Sequence, residues 1–262
     1  MGKAQRIKAQ NARERIAAQQ AAARRAETRR KWLMAGGAAV VVIAVVIGVV
    51  IFATHKNAPT ASRQVIPPGV GGGPPTVQAA AHQIPNTSGI PGVTQYVTTG
   101  WPTRSNNGPA SQALAHDHVN GPVTYSVTPP VGGQHNATWM NCGIYTEPVP
   151  SERAVHNLEH GAVWITYQPS LPKSEVTALR AFVEKQSIIS PGGAGRSRYM
   201  DLTPYPGLPS PIVLSSWGNQ LKVSSPSDPR MQQFVNKFRA SQTYSPEYGG
   251  PCTGGVGTPA QT

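Results

Sequence analysis

Cysteines, acidic residues and aromatic side chains are scarce in this chain. Its 262 residues include two Cys, 11 Asp or Glu, and only 6% Phe, Trp or Tyr. It has no C-x-x-C pair, no glycine-rich phosphate loop and no G-x-S-x-G nucleophile elbow. These absences argue against a thioredoxin-type dithiol site, a nucleotide-binding enzyme and a serine hydrolase. The Gly-Gly-Gly run at residues 71–73 lies in a Pro/Gly-rich stretch and indicates flexibility.

A single long apolar run follows a basic amino terminus. Residues 33–53 carry no charge, and at a rise of about 1.5 Å per residue they can cross a hydrocarbon core about 30 Å thick. Residues 1–31 contain ten Lys or Arg and two Glu. By the positive-inside rule, residues 1–31 form a cytoplasmic tail, residues 32–53 form a transmembrane signal-anchor helix, and the remaining chain is extracytoplasmic. The sequence therefore predicts a single-pass protein of the cell membrane.

The basic tail suggests which partners the protein has. Trp32 is the first aromatic residue, so the tail lacks the rings on which nucleic-acid bases stack, and we expect no nucleic-acid binding. Anionic lipid headgroups of the bilayer are the simpler partner, because each nearby Lys or Arg gains about 1 kcal/mol at such a surface. For the extracytoplasmic part we consider a protein partner in the cell envelope.

The extracytoplasmic part divides into a linker, a folded domain and a tail. Pro, Gly, Ser and Asn dominate residues 54–114 without a sustained apolar period, which predicts an extended linker. Within it, only the QYVTT segment at residues 95–99 suggests an element that docks on the domain. We expect a globular domain over residues 115–252 and a flexible carboxy-terminal tail over residues 253–262.

The predicted domain is of the α+β class, a small mixed sheet with helices packed on one face. Gly218-Asn219 suits a tight turn, and Pro229 suits the first position of a helix. Apolar patterns predict strands at 123–127, 162–167, 198–203, 211–217 and 220–223, and helices at 152–160, at 173–187 and from 228 onwards.

The strongest chemical signal is the pentapeptide His156-Asn157-Leu158-Glu159-His160, which is followed by Gly161. Positions i and i+4 share a helix face, so His156 and His160 form a two-imidazole clamp for a metal ion. Glu159 is rotated off that face by about 100°, so we expect it to accept an N–H behind the ligands. Gly161 predicts the helix end. The competing interpretation is a helix end whose histidines donate to backbone carbonyls.

Other histidines in the domain extend this hypothesis. His135 follows the loop PPVGGQ, and we expect it to meet His156 and His160 as a third ligand. His118 or Glu159 would complete or orient the set. Three imidazoles suit Zn or Cu, and Met140 and Met200 would favour Cu(I) if they faced the site.

Cys142 and Cys252 both follow the apolar run. A pair of cysteines in an oxidising compartment usually forms a disulfide, and this one would tie the Pro/Gly-rich carboxy terminus to the domain. The alternative makes one or both thiolates metal ligands, with Cys142 following His135 at a distance of seven residues.

Three ordered motifs span the domain: DHVNGPVTY, TPPVGGQHNATWMNCGIY and EPVPSERAVHNLEHGAVWITY. Together they closely resemble a bacterial family catalogued as domain-of-unknown-function family 3105, over roughly residues 115–252. The resemblance implies an origin of the actinobacterial type, one membrane helix, an extracytoplasmic domain and a shared site, but no established activity. The family pattern is matched here at His118, Tyr125, Pro129, Pro130, His135, Cys142, Gly143, Tyr145, His156, Glu159, His160, Gly161, Pro204 and Trp217.

Three functions fit these residues, and the sequence leaves open whether the domain is an enzyme. The first is metal binding, with Cu or Zn as the ion. The second is a non-catalytic envelope scaffold or interaction module whose histidines cross-brace loops. The third is a membrane-tethered inverzincin-type metallopeptidase, which needs Glu159 as general base and a downstream carboxylate ligand. None of the later acids lies in a second helix of the expected kind: Glu175, Glu184, Asp201, Asp228 and Glu247.

Overall fold

The computed structural model describes residue 66, residues 73–100 and residues 105–260. The basic tail at 1–31 and the predicted transmembrane helix at 32–53 lie outside the described residues, as do residues 54–65, 67–72 and 101–104 of the predicted linker. Within the described part, no helix has both the length and the apolar character needed to span a bilayer.

Strands from both halves of the described chain build two sheets. In the described part these strands are β1 (Thr76–Val77), β2 (Gln83–Ile84), β3 (Val93–Tyr96), β4 (Val123–Thr124), β5 (Val163–Tyr167), β6 (Met200–Pro204), β7 (Ile212–Ser216) and β8 (Asn219–Val223). The larger sheet has six strands in the order β2-β3-β8-β7-β5-β6. Only the β5–β6 pair in it is parallel. The smaller sheet pairs β1 with β4 in parallel.

Three α-helices accompany the sheets in the described part: α1 (Ser151–His160), α2 (Lys173–Glu184) and α3 (Pro229–Phe238). Helix α1 ends at Gly161, which has φ +106°, and the N–H of Ala162 donates to the carbonyl of Asn157 at 2.8 Å. This is the Schellman arrangement that glycine permits. Helix α3 begins after Asp228, whose side chain accepts the N–H of Arg230.

The local elements predicted from sequence are confirmed, with ends shifted by three residues or fewer. The strand at 123–127 is shorter than predicted and ends at Thr124, and the helix at 173–187 ends at Glu184. The predicted turn joins β7 to β8, with Gly218 at φ +71°. The α+β class with a mixed sheet is therefore correct.

The prediction that the helices pack on one face is wrong, because helices cover both faces of the large sheet. Alternate residues of a strand point to opposite faces. Val163 and Ile165 of β5 pack with the apolar residues of α2 and α3. Trp164, between them, packs with Ala154 and Leu158 of α1. Helix α1 therefore lies on its own side of the sheet, where it is free to form a separate site.

The predicted linker at 54–114 is wrong for residues 73–100, which contribute strands. Val93 of β3 pairs with Leu221 of β8, so a strand far upstream joins the central sheet. The element expected at residues 95–99 is the end of β3 and the segment after it. Short strands separated by Pro and Gly give no apolar period long enough to detect, which is why composition alone suggested a linker.

The prediction of a flexible tail at 253–262 is also wrong for residues 253–260, and residues 261–262 lie outside the described residues. The N–H of Asn141 donates to the carbonyl of Val256 at 2.8 Å, and the N–H of Val256 donates to the carbonyl of Trp139 at 3.0 Å. The N–H of Ala260 donates to the carbonyl of Ile144 at 2.7 Å. The carboxy-terminal segment is therefore bound to the segment that precedes α1.

Candidate metal centre

Helix α1 buries six polar residues, Glu152 and Arg153 near its start and four more in its second half. Every residue from Glu152 to His160 is buried. The side chains of His156, Asn157, Glu159 and His160 belong to residues that are at most 3% exposed. Burying such groups is unfavourable unless each finds a partner. The segments that pack on α1 must therefore supply those partners.

Four histidine rings lie together beside α1, and they are the four selected from the sequence. The ring centroids of His156 and His160 are 4.4 Å apart, and those of His135 and His156 are 4.9 Å apart. The ring of His118 lies 4.9 Å from that of His135 and 5.1 Å from that of His156. A short β-bridge aligns His118 with His135, and the N–H of Val119 donates to the carbonyl of His135 at 2.8 Å.

Backbone carbonyls fix the orientation of the three buried imidazoles. In each ring Nδ1 lies 2.7 Å from a carbonyl oxygen: His135 from Gly133, His156 from Asn136, and His160 from Pro251. A carbonyl can only accept, so Nδ1 carries the hydrogen in each ring. In a neutral ring with that tautomer, Nε2 is left with a free lone pair. The hydrogen bonds expected under the competing interpretation are thus present, and they prepare the opposite nitrogen to bind a metal.

The Nε2 atoms of His156 and His160 face each other at 2.9 Å. Burial lowers the pKa of His156 to about 3, and it also lowers the pKa of His160. Both rings are therefore neutral near neutral pH. Two neutral rings in the tautomer described above bring two lone pairs together, which is repulsive unless a cation lies between or beside them.

Glu159 and His135 form a second close pair. Glu159 Oε2 lies 2.8 Å from His135 Nε2, and both residues are at most 1% exposed. Despite the short distance, the two atoms are not aligned as donor and acceptor, and neither has a hydrogen-bond partner in the described part of the chain. Glu159 was expected to accept an N–H behind the ligands. Its carboxylate instead lies among the free nitrogens.

The ligand atoms form two groups that share His156. The first, here called the Glu159 group, consists of His118, His135, His156 and Glu159; the second, here called the Glu247 group, consists of His156, His160 and Glu247. Within each group the ligand atoms lie within 4.8 Å of one another. Ligands 2.0–2.2 Å from one ion cannot be more than about 4.4 Å apart, so modest side-chain adjustment suffices in either group. His135 and His160 belong to different groups, so the expected set of His135, His156 and His160 is divided.

Glu247 is the member that sequence analysis did not select. Its Oε2 lies 3.4 Å from His160 Nε2, and its side chain is 53% exposed. The N–H of Glu247 donates to the carbonyl of Glu159 at 3.0 Å, which fixes its loop against the end of α1. Glu247 appeared in the sequence only as an acid outside any predicted helix, with no spacing that links it to His160.

A family model described as "Protein of unknown function (DUF3105)" matches residues 116–254, a little more than half of the chain. The chain belongs to this family. The resemblance inferred from the three motifs is thereby confirmed. No curated protein matches the chain significantly, and neither does any solved structure. The DUF3105 segment contains both ligand groups and both cysteines, whereas β1, β2 and β3 precede it.

The cysteines of the DUF3105 segment are joined in the predicted disulfide, Cys142–Cys252. The alternative in which they are free thiolate ligands is therefore wrong. The disulfide lies beside the site, because Pro251, whose carbonyl orients His160, directly precedes Cys252. Gly250 packs so closely on His160 that an added Cβ would lie 2.3 Å from His160 Cδ2. The disulfide thus holds the segment that orients one of the imidazoles.

Asn157 links α1 to a buried acid of β6. Its Nδ2 donates to Asp201 Oδ2 at 2.9 Å, and the N–H of Gly143 donates to Asp201 Oδ1 at 3.1 Å. Asp201 lies between Met200 and Leu202, which face the other side of the sheet, so the strand alternation points its carboxyl group towards α1. Complete burial raises the pKa of Asp201 to about 7, against the effect of its hydrogen bonds.

Proposed function

We propose that the domain binds one divalent transition-metal ion, zinc or copper, at the histidines of α1. The observation that carries this proposal is the 2.9 Å approach of the Nε2 atoms of His156 and His160, whose Nδ1 atoms both donate to carbonyls. A cation bound at these nitrogens removes the repulsion. His135 Nε2 and Glu159 Oε2 provide independent support, because they lie 2.8 Å apart and neither has a hydrogen-bond partner among the described residues.

The donor atoms favour zinc or Cu(II) over Cu(I). Imidazole nitrogens and carboxylate oxygens are ligands for both divalent ions, whereas thioethers and thiolates select Cu(I). Met140 and Met200 are buried within hydrophobic clusters, and the cysteines are bonded to each other. We propose Glu159 as a direct ligand, since its oxygen lies beside a free imidazole nitrogen.

The test is metal analysis of the full-length chain, purified without a His-tag and without chelator. We expect one equivalent of zinc or copper, and nearly complete loss of binding in His156→Ala, which removes the ligand that both groups share. Glu159→Gln should weaken zinc binding by at least roughly 10–100-fold, the range measured for supporting groups of metal ligands. His82→Ala alters an exposed histidine and should bind as the wild type does. A wild-type chain that takes up no metal, and whose unfolding temperature zinc leaves unchanged, would favour the scaffold.

We further propose that residues 32–53 anchor this domain on the extracytoplasmic side of the cell membrane. The support is the uncharged run at 33–53 and the ten Lys or Arg that precede it. A reporter enzyme fused after Thr262 should be active only outside the cytoplasm. Activity of that fusion in the cytoplasm would refute the orientation.

The peptidase hypothesis remains a second candidate because Glu247 lies with His156 and His160. Two histidines and a downstream glutamate are a known ligand set for catalytic zinc, and the adjacent Glu159 has the position of a general base in the H-x-x-E-H motif. Zinc-loaded protein should then cleave peptides from a mixed library, and Glu159→Gln should abolish cleavage while zinc remains bound. Equal cleavage by both proteins would point to a contaminating peptidase.

A further inference from the structure

The two ligand groups depend on the same atom of His156. Its Nδ1 is occupied by the hydrogen bond to the carbonyl of Asn136, so Nε2 is the nitrogen available to either group. One lone pair coordinates one ion. The Glu159 group and the Glu247 group are therefore alternative positions for a single ion, and both cannot be filled at once.

The two positions differ in the number of ligands that they offer. Each group has one exposed member: Glu247, whose side chain is 53% exposed, and His118. The Glu159 group offers four ligands, enough to close a tetrahedral site, whereas the Glu247 group offers three and leaves one position open to an acceptor. An ion is consequently held more firmly by the Glu159 group and is passed on more easily from the Glu247 group.

We propose that His156 is the ligand common to both positions of a metal-exchange centre. This proposal rests on the metal binding proposed above. The ion rests in the Glu159 group and enters or leaves through the Glu247 group, where His160 and Glu247 replace His135, His118 and Glu159 as ligands. The short distance between the Nε2 atoms of His156 and His160 allows the ion to stay bound to His156 throughout. A centre of this kind passes a divalent ion to an acceptor with stronger ligands, which makes metal transfer the activity of the domain.

Transfer kinetics of the full-length chain with Zn²⁺ test this mechanism. Stopped-flow mixing with a chromogenic chelator measures release, mixing of the metal-free chain with Zn²⁺ measures uptake, and metal analysis gives the stoichiometry. Glu247→Ala should slow uptake and release by the same factor, roughly tenfold or more, and leave the equilibrium affinity unchanged, since it removes a step of the route. His118→Ala should accelerate release without changing uptake, since it removes a resting ligand. Glu184→Ala, at an exposed position of α2, is the matched control and should change neither rate.

Four outcomes would overturn the exchange mechanism. Two zinc ions per chain would show that the groups fill together. Faster release with lower affinity in Glu247→Ala would make Glu247 a resting ligand. Unchanged rates in that variant would remove it from the route, and slower uptake and release in His118→Ala would place the route at His118. If the wild-type chain binds no zinc, it is the proposed metal binding that fails.

Discussion

Replacing Asp201 by Asn should stabilise the protein most strongly above neutral pH. Burial raises the pKa of Asp201 from 3.8 to about 7, so the folded protein holds its proton more tightly than the unfolded chain does. Its contribution to stability is therefore fully present below about pH 4 and is lost as the pH rises through about 7. A difference of about three pKa units corresponds to a total loss of roughly 4 kcal/mol. Roughly 3 kcal/mol of this falls between about pH 5 and about pH 8.5.

The Asn side chain can keep the hydrogen bonds of the protonated acid. Its oxygen can accept the N–H of Gly143. Its NH₂ can donate to Asn157 Oδ1 after the Asn157 amide flips by 180°, since that oxygen has no hydrogen-bond partner among the described residues. Urea unfolding followed by tryptophan fluorescence at about pH 5 and about pH 8.5 measures the effect. The variant should gain roughly 3 kcal/mol relative to the wild type between these two values.

Comparing variant with wild type cancels the histidine contributions, because both proteins carry the same histidines. Glu184→Gln, which neutralises an exposed carboxylate, should leave the pH dependence as it is in the wild type. If Asp201→Asn shifts the unfolding free energy equally at both pH values, or destabilises the protein more at the higher one, the assignment of a raised pKa to Asp201 is refuted.

Three further predictions concern the segments around α1. Gly250→Ala places a Cβ 2.3 Å from His160 Cδ2, so the ring must turn and zinc uptake in stopped-flow mixing should slow by roughly tenfold or more, with an unchanged circular dichroism spectrum. An unchanged rate would exclude His160 from the route. Replacing Cys142 and Cys252 together by Ser should lower the free energy of unfolding in urea by about 2–5 kcal/mol. Non-reducing digests should contain the linked Cys142 and Cys252 peptides for the wild type and not for the variant. Gly161→Ala places a Cβ 2.8 Å from Ser245 Oγ on a residue whose φ is +106°, so the free energy of unfolding measured by thermal denaturation should fall by about 1–3 kcal/mol. Unchanged stability would contradict the observed helix end.

Features that depend on neighbours in sequence were predictable. Helix α1 and its end at Gly161 follow from a periodic apolar face and one glycine, and the β7–β8 hairpin follows from Gly218-Asn219. Each of these is decided within about one to two turns of chain, where propensity and turn chemistry act. The pairing of β3 with β8 is decided instead by contacts between distant segments, and the residues around Val93 carry no pattern that predicts it.

The candidate site divides in the same way. His156 and His160 share a face because of their spacing, so the clamp was visible in the sequence. The carbonyls of Gly133, Asn136 and Pro251, which orient the three rings, are backbone groups that any residue supplies. No residue type marks them, and Glu247 reaches His160 only through the path of the carboxy-terminal loop.

The sheet order has a consequence for how the protein assembles during synthesis. Strand β3 is synthesised early but can pair only after β8 has been made, because Val93 pairs with Leu221. In the same way, Cys142 can form its disulfide only after Cys252, 110 positions later, has been made. Such distant closures are slow because the loop between the ends must be ordered first. Glu247 and Pro251 come later still than β8. A chain that stops after β8 contains every residue of the Glu159 group but lacks Glu247 and the carbonyl of Pro251 that orients His160. Completion of the Glu247 group is thereby tied to the final stretch of translation.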